Sequence, residues 1–297
     1  SQNFSDYTLF GGEDSHYDYI IGNPPYLKTS KDAIEALAMP EVCYGAPNLY
    51  FLFWAMGIHN LKEGQELVYI IPRSWTSGAY FKRFREYLFR ECVLTDIHLF
   101  EKRDKVFDGE SVLQETMIVK VKKTRVVPSA INITTSSTSD FKDISYFSAP
   151  YETVVTKNHC VCVVTNSDDV NVLHTINHFS KTLPEINLKM QTGIIVDFRT
   201  REVLRNELEE GAYPLLYAQH IREGKIVWPL GKEGEVIKTE RKSYLQENGN
   251  FLLVKRFTSK EEPRRLQCGI YIKKKINNFK YIRTHNKVNY IKCDSPS

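Results

Sequence analysis

Half of a doubly wound α/β sheet followed by a β-rich second domain is the architecture that this 297-residue sequence predicts, and three observations carry it. Strand-length apolar runs alternate with helix-length segments of three- and four-residue spacing through residue 128. Between Val126 and Asp143 the composition turns to Ser, Thr, Asn and Asp, the mark of a surface connection. Charge divides too: residues 1–180 hold 17 Lys and Arg against 22 Asp and Glu, whereas residues 181–297 hold 23 against 14. The net charge of +4 thus conceals an acidic half and a basic half, which suggests two jobs. The expected organisation is a first domain over 1–128, a connecting region over 129–180 and a second domain over 181–297.

The elements follow in order. Tyr17 to Gly22 is a short apolar run ending in a turn cluster, the pattern of a strand buried in a parallel sheet. Pro47 to Asn60 places Leu49, Leu52, Phe53 and Met56 at helical spacing, with Lys62-Glu63-Gly64 as its stop. Glu66 to Ile71 is a second strand closed by Pro72, and Tyr80 to Glu91 an amphipathic helix carrying Phe81, Phe84, Tyr87 and Leu88. Val93 to Phe100 and Gln114 to Lys122 read as further strands, the latter alternating Met117, Val119 and Val121 with more polar neighbours. Short β-rich pieces return from Ile144 to Thr165, with Cys160 and Cys162 alternating along an apparent strand. Val170 to Phe179 is a short helix, and Thr200 to Glu210 the one candidate helix of the basic half. Glycines punctuate the remainder, and no internal repeat is present.

Several classes are excluded. The longest apolar runs fall far short of the roughly 20 residues that a membrane-spanning helix needs. Ser1 to Gly12 lacks the basic start and apolar stretch of a secretion signal. Six cysteines without a CxxC pair or metal-ligand spacing read as small buried hydrophobes in a reducing cytoplasm, with no metal expected.

The segment that carries chemistry is Asn23-Pro24-Pro25-Tyr26, directly after the first strand. Two prolines fix the backbone and remove two donors, so the surrounding carbonyls can only accept. Asn23 adds a side-chain acceptor at the carboxyl end of a parallel strand, where open α/β sheets place their ligand crevice. An aromatic amine donating both its N–H groups to the Asn23 side chain and the Pro24 carbonyl has its lone pair turned toward an electrophilic methyl group. Pro25 stiffens the loop, and Tyr26 offers a flat face on which an extruded base stacks.

Asn-Pro-Pro-Tyr in this setting resembles motif IV of the N6-forming, adenine-specific DNA methyltransferases of restriction-modification systems, which use S-adenosylmethionine. The resemblance implies the second half of a Rossmann-like methyltransferase domain, with Asn23, Pro24, Pro25 and Tyr26 catalytic. It makes Asp6, in the pair Asp6-Tyr7, the contact to the cofactor's adenine. Asn48-Leu49-Tyr50, Pro72-Arg73-Ser74-Trp75 and the stretch from Phe107 to Val119 follow the order of later motifs. Thr192-Gly193 through Asp197-Phe198-Arg199, Tyr217-Ala218-Gln219-His220, Val227-Trp228-Pro229 and Val254 to Glu262 resemble the target-recognition region of the PstI and BsuBI type. The second domain is then an α+β recognition module for double-stranded DNA, and CTGCAG the first site to test.

On this reading Phe198, Arg199, Gln219, His220, Lys255, Arg256, Lys260, Arg264 and Arg265 face DNA, the cations neutralising phosphates. A cognate restriction endonuclease is the expected partner. No Gly-rich cofactor loop occurs in the chain, and the first residue is Ser, so the resemblance further implies an interior fragment, shortened at the N-terminus and beyond Asn289-Tyr290. Two alternatives stand beside it: a DNA-specificity module without catalysis in the isolated fragment, and part of a fused restriction and methylation enzyme. Neither Asp108-Gly-Glu110 nor Glu261-Glu262 sits in a nuclease-like constellation.

Overall fold

The computed structural model describes residues 17–101, 115–259, 262, 264–273 and 279–293. The chain divides into two compact units at His178 and Phe179, close to where its charge changes sign.

The first unit is a six-stranded mixed sheet. β1 (Tyr17–Gly22) runs parallel to β2 (Leu61–Pro72), and α1 (Leu49–Asn60) makes the crossover between them. α2 (Lys82–Glu91) then leads to β3 (Val93–Phe100), and β4 (Thr116–Lys122) inserts antiparallel between β2 and β3. β5 (Ala130–Ser136) adds parallel to β3, and β6 (Ser145–Pro150) closes that side antiparallel, giving the order β1-β2-β4-β3-β5-β6.

α1 forms because Asn48 caps it, its side chain accepting from the Tyr50 N–H at 3.3 Å. Beyond the expected stripe, it is apolar nearly all round and buried from Tyr50 through Ile58, Phe53 alone half-exposed, as a helix at the centre of a core must be. Gly57 lets it approach the sheet, since a Cβ there would lie 2.7 Å from Leu67 Cδ1. Trp54 meets Trp75 edge-on at 4.9 Å and Phe84 at 5.1 Å. α2 adds the fully buried Phe84 and the buried Arg85, whose guanidinium is held by the carbonyls of Trp75 and Gly78 at 2.9 and 3.0 Å. The opposite sheet face carries a polar lattice in which Lys120 reaches Asp96 at 2.8 Å and Glu66 at 3.7 Å.

Three expectations change in this unit. The apolar run Tyr17–Gly22 is a strand but not a buried one: no described strand pairs with its outer edge, and Tyr17, Tyr19 and Ile21 are exposed. The Ser/Thr-rich stretch within 129–180 is more than a connection, because Ile131 and Ile133 alternate with its polar residues and are buried in the first core. Ala149, Val154, Val161 and Val164 join them. Cys160 and Cys162 flank an isolated bridge between Val155 and Val161 rather than lying on a strand, and the helix after them spans Ser167–Asn177, α3.

The second unit holds two sheets. One orders its strands 221–222, 224–226, 268–271, 251–255, 288–293 and 188–192; the other orders 246–247, 281–284, 212–216, 236–238 and 204–205. Thr200 to Glu210 is not a helix: a 3-10 turn at Arg201–Val203 leads into Leu204–Arg205, which pairs with Val236 and Ile237. The pull comes from a small core of Ile195, Leu215, Tyr217 and Ile237, against which Val203 and Leu204 pack. Gly193 permits the closest backbone approach in this unit, a Cβ there falling 2.2 Å from the His285 carbonyl oxygen.

Candidate active site and nucleic-acid interface

The Asn-Pro-Pro-Tyr segment leaves the sheet at the carboxyl end of β1. Asn23 is exposed, and its amide has no hydrogen-bond partner among the described residues. Pro24 is buried and Pro25 exposed. Just beyond, the chain is stapled to the approach of α1: the Leu49 N–H donates to the Leu27 carbonyl at 2.8 Å and the Thr29 N–H to the Pro47 carbonyl at 2.9 Å.

Tyr26 is fixed from behind. Its hydroxyl donates to the Ile70 carbonyl of β2 at 3.0 Å, and its ring meets Tyr50 edge-on at 6.3 Å. Burial pushes the Tyr26 phenol up to about 12, so it stays a donor at neutral pH. The fully buried Tyr50 in turn shares a 3.1 Å hydrogen bond with Ser74. The neighbouring carboxyl ends of β1 and β2 thus carry the two motif segments, with a Tyr26–Tyr50–Ser74 brace behind the loop. Sequence reading singled out the stretches holding Tyr50 and Ser74 without giving them this task; the available signal was that a buried phenol needs a polar partner. Asp6 and the Phe107–Glu110 segment lie outside the described residues.

In the second unit, Phe198 and Phe257 are exposed at 69% and 62%, each beneath an arginine: Arg199 at 5.3 Å and Arg256 at 5.1 Å from the ring centres. Arg256 also donates to the Asn286 carbonyl at 3.2 Å, and Arg265 to that of Ser259 at 3.4 Å; Arg264 is exposed. Lys255 is half-buried and paired with Glu262 at 3.6 Å, so its charge is already met within the chain. Lys260 lies outside the described residues.

Gln219 is exposed, but His220 beside it is wholly buried and cannot face DNA directly. Its Nδ1 accepts the Tyr217 N–H at 2.8 Å, which leaves Nε2 protonated to donate to Glu235 at 3.1 Å. Glu235, 2% exposed, also accepts the N–H groups of Leu230 and Gly231 at 2.9 and 2.8 Å. His220 is therefore a positioning residue that locks the turn presenting Gln219. Next to it, Tyr217 donates to Asp197 at 2.9 Å and stacks on His285, whose Nε2 lies 3.3 Å from the same carboxylate.

Burial holds His98, His220 and His285 below the ordinary histidine range; for His220 the hydrogen bond and charge of Glu235 only partly offset it. Below about pH 6.5 the unfolded chain therefore binds more protons than the folded one, so these residues' contribution is complete above that pH and lost as pH falls. Thermal melts are expected to shift downward between pH 7 and pH 5, before the carboxylates titrate; a flat profile across that window would contradict it.

The Eco57I restriction-modification methylase family matches residues 1–107. Type II methyltransferase M.PstI of Providencia stuartii is 33% identical over 281 residues, which cover 92% of this chain and 55% of that protein. M.BsuBI of Bacillus subtilis is 32% identical over 276 residues, covering 91% and 55%. The chain thus spans about half the length of these curated relatives. Among solved structures, the type IIL restriction-modification enzyme MmeI in complex with DNA superposes with a TM-score of 0.51 at 9% identity, over 92% of this chain and 40% of that one. At that identity the likeness speaks to fold alone. Taken with the sequence identity over most of its length, the chain belongs with the Eco57I-family type II methyltransferases, as a relative of M.PstI and M.BsuBI.

Proposed function

We propose that the chain carries the methyl-acceptor half and the recognition domain of a site-specific DNA adenine methyltransferase of a restriction-modification system. The supporting observation is the exposed Asn23 amide, unpartnered among the described residues, at the carboxyl end of β1, followed by two prolines and a braced tyrosine. Asn23 Oδ1 and the Pro24 carbonyl each accept one N–H of the adenine amine, and the base lies against the Tyr26 ring. Because the amine is itself the nucleophile, no covalent enzyme intermediate and no metal is required. S-Adenosylmethionine supplies the methyl group when bound, with Asp6 at its adenine; the described residues contribute the acceptor side. Arg199, Arg256, Arg264 and Arg265 with Phe198 and Gln219 form the DNA face, and a companion endonuclease cuts the unmodified site in the cytoplasm.

A second reading, recognition without catalysis by this stretch alone, is favoured by the basic second unit. The complete gene is to be expressed in a host lacking adenine methylation and the nucleosides of its DNA analysed. N6-methyldeoxyadenosine at a defined site is expected; 5-methylcytosine alone, or no modified base from a folded enzyme, would overturn the proposal.

A further inference from the structure

A second polar feature lies in the basic unit. A cleft of about 400 Å³ opens between the two sheets, lined by Arg283 and Thr284, Gln246 and Glu247, Tyr290 and Lys292. Arg283 sits on the strand Tyr281–Thr284, hydrogen-bonded to Leu215 and Leu216 on one side and to the short strand Gln246–Glu247 on the other. That central place explains why it is only 3% exposed.

Its guanidinium is nevertheless unpaired among the described residues. Nε and Nη2 are sealed from water without an acceptor, and Nη1, which has no hydrogen bond either, keeps access. Arginine does not escape this by losing its proton in the physiological range, even though burial holds Arg283 down at about 10. The Gln246 side-chain nitrogen is a further sealed donor without an acceptor, while its oxygen is turned toward Thr284. Among the described residues the other buried arginine, Arg85, has its Nη1 met by two carbonyls, although its Nε is also unmet. A fixed, recessed positive charge without an acceptor of its own complements an acceptor-only, negatively charged group. Lys292 adds a second cation and Glu247 one carboxylate, so the lining remains net positive.

We propose that this cleft is an oxyanion site for a phosphate or phosphomonoester group, with Arg283 as its central ligand and Lys292 supporting it. A small tetrahedral anion fits a cleft of this size and meets the guanidinium at Nη1, the nitrogen that keeps access, in a charge-assisted hydrogen bond. The group is either free phosphate or a phosphate of bound nucleic acid, and the chemistry of the site is the same for both.

The test uses the full chain with inorganic phosphate as probe, at ionic strength matched with sodium chloride. Ten-millimolar phosphate is expected to raise the melting temperature by roughly 3 °C, as a ligand present well above its dissociation constant does. Arg283→Met should abolish the shift and Arg283→Lys should retain a fraction of it. Equal shifts in the wild type and Arg283→Met would show general salt stabilisation and overturn the proposal. Calorimetric titration of the wild type stands independently of how the variants fold: no saturable phosphate binding up to 20-fold the protein concentration and up to tens of millimolar would also overturn it. Repeating the titration with a bound oligonucleotide duplex separates the sources, because loss of the phosphate response means that a DNA phosphate occupies the cleft, and an unchanged response means that the ligand is free phosphate.

Discussion

Asn23→Ala in the full-length enzyme is expected to lower methyl transfer by at least about 100-fold while duplex affinity stays within about threefold. Asn23 is exposed and bears no part of the fold: its side chain bonds to none of the described residues, and the loop around it is held by Pro24, by the Leu27 and Pro47 carbonyls and by the Tyr26 hydroxyl. On the proposed reading, removing the amide leaves the loop in place and takes away one of the two acceptors for the adenine amine. The amine then keeps its lone pair delocalised into the ring, and the barrier rises where charge develops. Asn23→Asp preserves an acceptor in the same place and should retain more activity than Ala. The measurement is single-turnover methyl transfer beside duplex binding by anisotropy. Near-normal transfer in Asn23→Ala would remove the acceptor role from this residue, and parallel loss of binding would assign it to DNA contact instead.

The first unit was more legible than the second because its signals are local. α1 is announced by the helical spacing of Leu49, Leu52, Phe53 and Met56, and β4 by strict alternation of Met117, Val119 and Val121. Direction and pairing are non-local, so the antiparallel insertion of β4 between β2 and β3 was not readable. Thr and Ser are neutral witnesses: in β5 they line one face of a strand whose other face, Ile131 and Ile133, is core, while composition alone read as a surface connection. In the second unit, strands of two to six residues give too few positions for periodicity to speak. His220 illustrates the same limit for site residues. The resemblance places His220 with Gln219 on the DNA face, and only the distant Glu235 reveals that the ring points inward.

That inward pair supports the largest stability effect. Glu235→Ala is expected to cost the fold at least about 4.5 kcal/mol, because hydrogen bonds to a buried charged group are worth about 1.5–3 kcal/mol each and three are lost. Burial alone would raise the Glu235 pKa, yet the bonds from Leu230 N–H, His220 and Gly231 N–H outweigh it, and the carboxyl titrates below its usual range. The stabilisation is thus complete above about pH 4.5 and lost as pH falls further. Glu235→Gln is the sharper experiment. His220 cannot change tautomer to receive a new donor, since its Nδ1 already accepts the Tyr217 N–H, and either orientation of the Gln amide turns its NH₂ toward a standing donor. The isosteric variant should therefore still destabilise, by about 1–3 kcal/mol, and should weaken duplex binding through the displaced Gln219 turn with no change in the chemical step once DNA is saturating. Denaturant unfolding and saturation kinetics read these separately. A Gln variant as stable as the parent would show that the carboxylate's charge and acceptors are not what holds the turn.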